Sequence, residues 1–283
     1  MKSPLPYLLL TFVAIAASAV AAPRDDSAAE KLGWHLATKA YTFRAITLYE
    51  TIEITHALGL KYFELNPTQK LSAEKPVNTN DTLPPELRAA LKAKFAAAGI
   101  KVMNYGVVKL TNDEAADRKV FDFAKEMGVE TIVSEPEDGS FDLLDKLTAE
   151  YGINVAIHNH PQPSHYYNPE TVLNAIKGHS ARIGACADTG HWTRSGLNAV
   201  ECLKILEGHV ITLHFKDVND QKKDVLFGTG QTDIKGMLAE LKRQNFHGVF
   251  SMEYESGAAG EQLVNELKEN AVFFDREAAN LSH

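Results

Sequence analysis

Strand-type and helix-type segments alternate eight times along this sequence, and that regularity leaves few folds open. Each apolar, β-branched run is followed by an amphipathic helical stretch. The predicted strands cover residues 34–43, 61–65, 101–107, 130–135, 153–158, 181–188, 209–215 and 248–254. Eight βα units in a chain of 283 residues favour a closed barrel over an open doubly wound sheet. We therefore predict an α/β fold with a single (β/α)₈ TIM barrel over residues 32–283.

The first residues carry the features of a secretory signal peptide. Lys2 precedes an apolar stretch from Leu8 to Val20, and small residues at 19 and 21 match the pattern that signal peptidases cut. The stretch is shorter than the ~20 apolar residues that a transmembrane helix needs. We predict a signal peptide over residues 1–21, a short N-terminal segment over 22–31, no membrane span, and a periplasmic or secreted location. The alternative is an uncleaved apolar helix.

Four predicted strands end in a side chain that binds divalent metals. Glu135 ends TIVSE, Asp188 ends RIGACAD, His214 ends VITLH and Glu253 ends VFSME. Active sites of such barrels lie at the carboxyl ends of the strands, so we expect these side chains to converge on one cation. Taken one at a time, each residue has another possible role. Glu135 could be a solvated loop carboxylate and Asp188 a helix cap. His214 could be a core histidine, and Glu253 the ion-pair partner of a lysine. An oxygen-rich set with one imidazole favours Mn²⁺, Mg²⁺ or Co²⁺, with Zn²⁺ as an alternative.

The same segments resemble a known family. SEPE, ADTGHW, LHFKD, FGTGQTDIKGML and GVFSMEYE are similar to segments of the xylose-isomerase-like TIM-barrel superfamily, often called sugar phosphate isomerases/epimerases. The motifs are most similar to those of ketose 3-epimerases, in which Glu, Asp, His and Glu bind one metal and the two glutamates are acid and base. The resemblance implies that Glu135 and Glu253 move protons, that Asp188 and His214 complete the metal shell, and that His191 contacts substrate.

Further substrate-binding candidates lie at other predicted strand ends. His158 and His160 end the fifth strand in IHNH, where capping of the loop is the alternative role. Lys216 follows the seventh strand, where a surface ion pair with Asp217 is the alternative. The remaining candidates, near the first three strands, are Glu64, Tyr105 and Arg44.

The candidate residues suit proton transfer at carbon. A metal that bridges a carbonyl and an adjacent hydroxyl oxygen stabilises the enediolate formed when the α-proton leaves. We predict a divalent-metal-dependent sugar isomerase or epimerase with a small-molecule sugar substrate. Predicted export and the lack of an evident Gly-rich phosphate cradle favour a non-phosphorylated sugar. A lyase or hydratase acting on an oxidised (keto) sugar or glycoside, and a non-catalytic periplasmic sugar binder, stay open, and a homo-oligomer is compatible with each.

Nucleic acid is not an expected partner. The net charge is −8, whereas binding to a phosphate backbone needs clustered Lys and Arg. The superfamily that the chain resembles includes apurinic endonuclease IV, whose three-metal site needs histidines on the second and third strands. The corresponding segments FELNP and MNYGV contain no histidine. An endonuclease IV-like activity is therefore disfavoured.

Overall fold

Eight parallel strands form a closed barrel. The computed structural model describes residues 24–283, so the predicted signal peptide lies outside the described residues. The strands are β1 (Trp34–Lys39), β2 (Tyr62–Leu65), β3 (Lys101–Val108), β4 (Thr131–Ser134), β5 (Asn154–His158), β6 (Ile183–Asp188), β7 (Val210–Phe215) and β8 (Gly248–Met252). They close in the order β1-β8-β7-β6-β5-β4-β3-β2. The predicted single (β/α)₈ barrel is confirmed.

Helices surround the barrel, and several begin and end where the sequence carries capping residues. Thr47 and Glu50 form a capping box at the start of one helix. Asp113 caps another, which ends at Gly128 in the left-handed conformation. The helices described are α1 (Ser27–Lys31), α2 (Leu48–Ala57), α3 (Pro85–Ala97), α4 (Glu114–Met127), α5 (Phe141–Tyr151), α6 (Pro169–Ile176), α7 (Thr189–Arg194), α8 (Ala199–Ile205), α9 (Ile234–Arg243) and α10 (Gly260–Leu281).

Two local features differ from the sequence prediction. The first strand ends at Lys39 because residues Ala40–Phe43 form a 3₁₀ turn. The Thr42 hydroxyl fixes this turn: it donates to the carbonyl of Met252 and accepts from the amide of Tyr254. After β7, a short antiparallel hairpin pairs residues 217–218 with 224–225. Both features lie at the carboxyl ends of the strands, beside the candidate site.

The core has an inner and an outer layer, as the period of two residues along a strand requires. Inside the barrel, Cys186 packs with Val133 and Ala156. Ala185 and Ala187 belong instead to the large core between strands and helices. Cys186 and, by the same period, Asp188 therefore face the inside of the barrel.

The predicted N-terminal segment contributes to the fold from residue 24 onward. Its residues 27–31 form α1, which packs against α10. The Arg24 guanidinium donates two 2.7 Å hydrogen bonds to the Asp275 carboxylate on α10. Across residues 24–283, no helix has the length and apolar character needed to cross a membrane.

Phe250 on β8 lies at the centre of the outer core and supplies a stability test. Its ring is fully buried and lies 5.3 Å from the ring centroids of Trp34 and Phe215 and 5.0 Å from that of Phe274. We expect Phe250→Ala to lower the free energy of unfolding by about 3–5 kcal/mol, because it removes a buried aromatic ring and leaves a cavity. Urea unfolding followed by circular dichroism measures the change.

The matched control is Val272→Ala on α10, where the valine is 58% exposed. This change is expected to stay within about 0.5 kcal/mol. Equal midpoints for the two variants would contradict the assignment of Phe250 to the centre of the core.

Candidate functional site

A cavity of about 380 Å³ opens at the carboxyl ends of the strands, where the active sites of such barrels lie. The long segment after β2 forms one wall through residues 66–68. The chemically functional side chains that line it include Lys39, His158, His160, His191, Glu253 and Glu255.

Four buried side chains beneath this cavity bring metal-binding atoms together. They are His158, Asp188, His214 and Glu253, each with one ligand atom within 4.8 Å of the others. Strand register sets part of this geometry, because Asp188 on β6 pairs with His214 on β7. Three of the four metal ligands predicted from the sequence are thus brought together, and His158 joins them.

Three atoms of this group have the properties expected of metal ligands. Asp188 Oδ2, His214 Nδ1 and Glu253 Oε2 are buried and lack a well-aligned hydrogen bond, although the Lys216 ammonium forms ion pairs with the two carboxylate oxygens. Buried polar atoms are almost always hydrogen-bonded, and unpaired ones are costly. Here they face one another, with His214 Nδ1 2.9 Å from Glu253 Oε2 and 3.8 Å from Asp188 Oδ2. Two carboxylate oxygens and an imidazole nitrogen in this arrangement fit a divalent cation.

His214 is oriented from behind by Glu64. Its Nε2 lies 2.8 Å from Glu64 Oε1, which also accepts a 2.8 Å hydrogen bond from Lys39. A carboxylate behind a histidine fixes which ring nitrogen faces a metal. Glu64 is fully buried and is not among the residues that line the cavity, so in this structure it contacts and orients His214, and its role in substrate binding stays a prediction.

Lys216 lies inside the site. Its ammonium group is 3.2 Å from Asp188 Oδ2, 3.1 Å from Glu253 Oε2 and 3.3 Å from Glu255 Oε2. The alternative surface pair with Asp217 is excluded, because the Asp217 carboxylate accepts backbone hydrogen bonds from residues 228, 230 and 232. Lys216 balances part of the negative charge.

The acidic groups of the cluster are ionised. Burial opposes ionisation, but contacts with His191 and Lys216 at Asp188, and with Lys216 and His214 at Glu253, outweigh it and hold the pKa of both carboxyls well below the usual range. The same carboxylates raise the pKa of Lys216 against the effect of burial. The Lys216 ammonium is thus shared by three carboxylates, of which Glu255 also contacts Arg44.

Glu135 lies beside the four-residue cluster. Its Oε1 is 3.3 Å from His158 Nδ1 and also contacts His160, while Oε2 accepts a 2.9 Å hydrogen bond from Ser164. Burial raises the pKa of Glu135, but the hydrogen bonds from His158 and His160 together lower it below its usual range. In this structure His158, and not Glu135, groups with Asp188, His214 and Glu253. The role of Glu135 as a metal ligand therefore stays a prediction.

The other substrate-binding candidates separate into rim and core. His191 lines the cavity, and burial lowers the pKa of its ring to about 3. Arg44 is exposed at the rim, 3.5 Å from Glu255. The prediction for Tyr105 is wrong: its ring is buried in the outer core, 5.0 Å from that of Phe123.

Sequence reasoning missed two residues of the site. Asn159 exchanges side-chain hydrogen bonds with the backbone of Asp188, at 2.8 and 3.0 Å, and fixes the end of β6. Its place between two histidines in IHNH was an available signal. Glu255 lies two residues after Glu253, beyond the end of β8, where strand alternation no longer predicts direction.

Comparisons with solved structures agree on the architecture. An uncharacterized protein of Parabacteroides distasonis ATCC 8503 is 34% identical, with a TM-score of 0.70 over 86% of this chain and 98% of that chain. A D-psicose 3-epimerase, solved in the presence of D-fructose, is 14% identical, with a TM-score of 0.69 over 87% and 99%. The IOLI protein with a binding zinc atom is 20% identical, with a TM-score of 0.65 over 84% and 97%.

The comparison with curated proteins found no match. A family model described as "Xylose isomerase-like TIM barrel" matches residues 52–274, which include all four residues of the buried cluster. The match covers most of the sequence and agrees with the closed eight-stranded barrel. The chain therefore belongs to the xylose isomerase-like TIM barrel family.

Proposed function

We propose that the protein is a divalent-metal-dependent sugar isomerase or epimerase that acts on a non-phosphorylated sugar. The observation that carries this proposal is the convergence of three buried ligand atoms, Asp188 Oδ2, His214 Nδ1 and Glu253 Oε2, in a cluster whose fourth member, His158, also contacts Glu135. Relatives in fold include a D-psicose 3-epimerase, which supports the reaction class. The predicted signal peptide adds a proposed periplasmic or secreted location.

The proposed cation is held by Asp188, His214 and Glu253, with His158 as the fourth protein ligand in this conformation. When bound, a divalent cation acts as a Lewis acid on the oxygens next to the reacting carbon. Mixed imidazole and carboxylate ligands suit Mn²⁺, Co²⁺ or Zn²⁺ better than Mg²⁺. Lys216 stabilises the ligand carboxylates through its contacts with Asp188 and Glu253.

Glu135 and Glu253 are the proposed proton carriers. Both have a pKa below the usual range for Glu, so each is ionised at neutral pH and has a free base form that can take up a proton. Removal by one glutamate and return by the other at the opposite face inverts a centre, whereas transfer to the neighbouring carbon interconverts aldose and ketose. His160, in contact with Glu135 and half exposed, links that carboxylate to solvent.

The cavity is suited to an uncharged polyol. Among the described residues lining it, His160, His191 and Thr68 carry hydrogen-bonding groups for sugar hydroxyls, and Tyr41 supplies an aromatic ring. No arginine is among the described residues that line the cavity; Arg44 at the rim is paired with Glu255, and Lys39 is paired with Glu64. A phosphate would therefore lack a dedicated cation.

The first test measures exchange of substrate carbon-bound hydrogen with deuterated solvent, across ketoses, aldoses and 3-keto-sugars. We expect incorporation that EDTA abolishes and Mn²⁺, Co²⁺ or Zn²⁺ restores. Glu135→Gln and Glu253→Gln should each lower the exchange rate about 100- to 10,000-fold, because the amide cannot accept the proton. Mass spectrometry and NMR of the sugars provide the measurement.

The matched control is Glu137→Gln, two residues after Glu135, where the carboxylate pairs with Lys109 at the surface. This variant should retain the wild-type exchange rate. Sugar binding without metal-dependent incorporation or product would overturn the proposal in favour of a binder. An unsaturated product from a keto-sugar or glycoside would instead establish the lyase.

A second test identifies the fourth metal ligand. We expect His158→Gln to weaken Mn²⁺ or Co²⁺ binding at least about tenfold more than Glu135→Gln, because His158 belongs to the compact cluster and Glu135 contacts it from outside. Isothermal titration calorimetry of the metal-free protein measures both. His165→Gln, at an exposed histidine, is the control. The opposite order would assign the fourth position to Glu135.

A further inference from the structure

The hydrogen bond between His191 and Arg194 fixes where the His191 ring carries its proton. Arg194 Nη1 lies 3.1 Å from His191 Nδ1. A guanidinium group has donors and no acceptor, so Nδ1 must accept. The ring is then neutral, and its single proton is on Nε2.

The protonated nitrogen faces the site. His191 Nε2 lies 3.5 Å from Asp188 Oδ2, and the ring lines the cavity, stacked on His160 with centroids 5.4 Å apart. We propose that Arg194 is a positioning residue that holds His191 as a neutral Nε2–H donor to a substrate oxygen. The assignment of that donor to a reacting sugar rests on the proposed function; the tautomer itself does not.

Arg194 is itself held rigidly. Its Nε donates a 3.0 Å hydrogen bond to the carbonyl of Lys222, and its Nη2 contacts the buried carboxylate of Asp224. The other oxygen of Asp224 accepts a 2.7 Å hydrogen bond from the amide of Glu255. The hairpin after β7 thus fixes the guanidinium and joins it to the segment after β8.

Gly190 leaves the room that this arrangement needs. A Cβ at this position would lie 2.8 Å from Lys216 Cβ and 3.4 Å from Arg194 Nη1. A side chain here would therefore displace Lys216, the lysine that pairs with the carboxylates, and would fill the space beside Arg194. The glycine in ADTGH is explained by this close approach.

A neutral donor suits a reaction in which negative charge develops on a substrate oxygen. Fixed donors stabilise such charge without reorganising during the reaction. The same tautomer excludes His191 from a second metal site, although His158, His160 and His191 bring nitrogen atoms within 4.8 Å of one another. Nε2 already carries the proton, and Arg194 occupies Nδ1.

The tautomer is tested by two-bond ¹H–¹⁵N NMR of metal-free, ¹⁵N-histidine-labelled protein near neutral pH, with the His191 signals assigned from His191→Gln. We expect the wild type to show only the Nε2–H form. Arg194→Met should give a mixture of tautomers, and Arg194→Lys, which retains a donor, should restore part of the preference. A protonated Nδ1 in the wild type, or an unchanged ring in Arg194→Met, would overturn the proposal.

The control is Arg182→Met, which removes an exposed arginine that contacts Gly152 and Asn154; it should leave the His191 signals unchanged. With a substrate from the exchange panel, Arg194→Met should lower kcat about tenfold with little change in KM. A change in KM alone would refute the donor role. Because NMR needs neither metal nor turnover, failure of the tautomer and failure of the proposed reaction are separate results.

Discussion

Asp188 and Glu253 bring two negative charges into the buried end of the barrel, and the rest of the site is arranged around them. Their oxygens share one ammonium group, from Lys216, and face Nδ1 of His214. Charges removed from water must be compensated by partners of opposite sign. The Lys216 ammonium serves Asp188, Glu253 and Glu255, and the ligand atoms grouped beside it are suited to a divalent cation.

The supporting residues form a second layer that depends on the same charges. Glu64 orients His214, Asn159 fixes the backbone of Asp188, and Arg194 orients His191. Deeper in the barrel, Asn104 donates to Thr212 and Glu64 and so connects β3 with β7 and β2. Each of these groups is held by hydrogen bonds, which keeps the side chains above them in place.

The hydrophobic pattern of the sequence was sufficient to predict the fold, because strand-type and helix-type segments alternate eight times. Glycines at the ends of several helices also marked where the chain turns back towards the next strand. The hydrophobic pattern also located Asp188, His214 and Glu253, since polar residues that end apolar strands stand out. It failed on β3, where Met103 packs inside the barrel and the next residue, Asn104, also bonds inside. The strand pairing shifts there, so simple alternation places Tyr105 on the wrong side.

Contacts between distant segments were also beyond prediction from one sequence. Glu64 and His214 are 150 positions apart, and the hairpin that holds Arg194 carries no strand signal strong enough to recognise. Such contacts depend on how the loops pack after the barrel closes, which local patterns do not encode.

The two proposed proton carriers differ in their access to water. The Glu135 side chain is 25% exposed and contacts the half-exposed His160, whereas Glu253 is 8% exposed and surrounded by His214 and Lys216. A hydrogen isotope taken up by Glu135 is therefore diluted by solvent quickly, while one taken up by Glu253 is retained longer. The forward and reverse directions of one epimerisation would then retain different fractions of the substrate's hydrogen isotope. This difference follows from the unequal solvent access of the two glutamates.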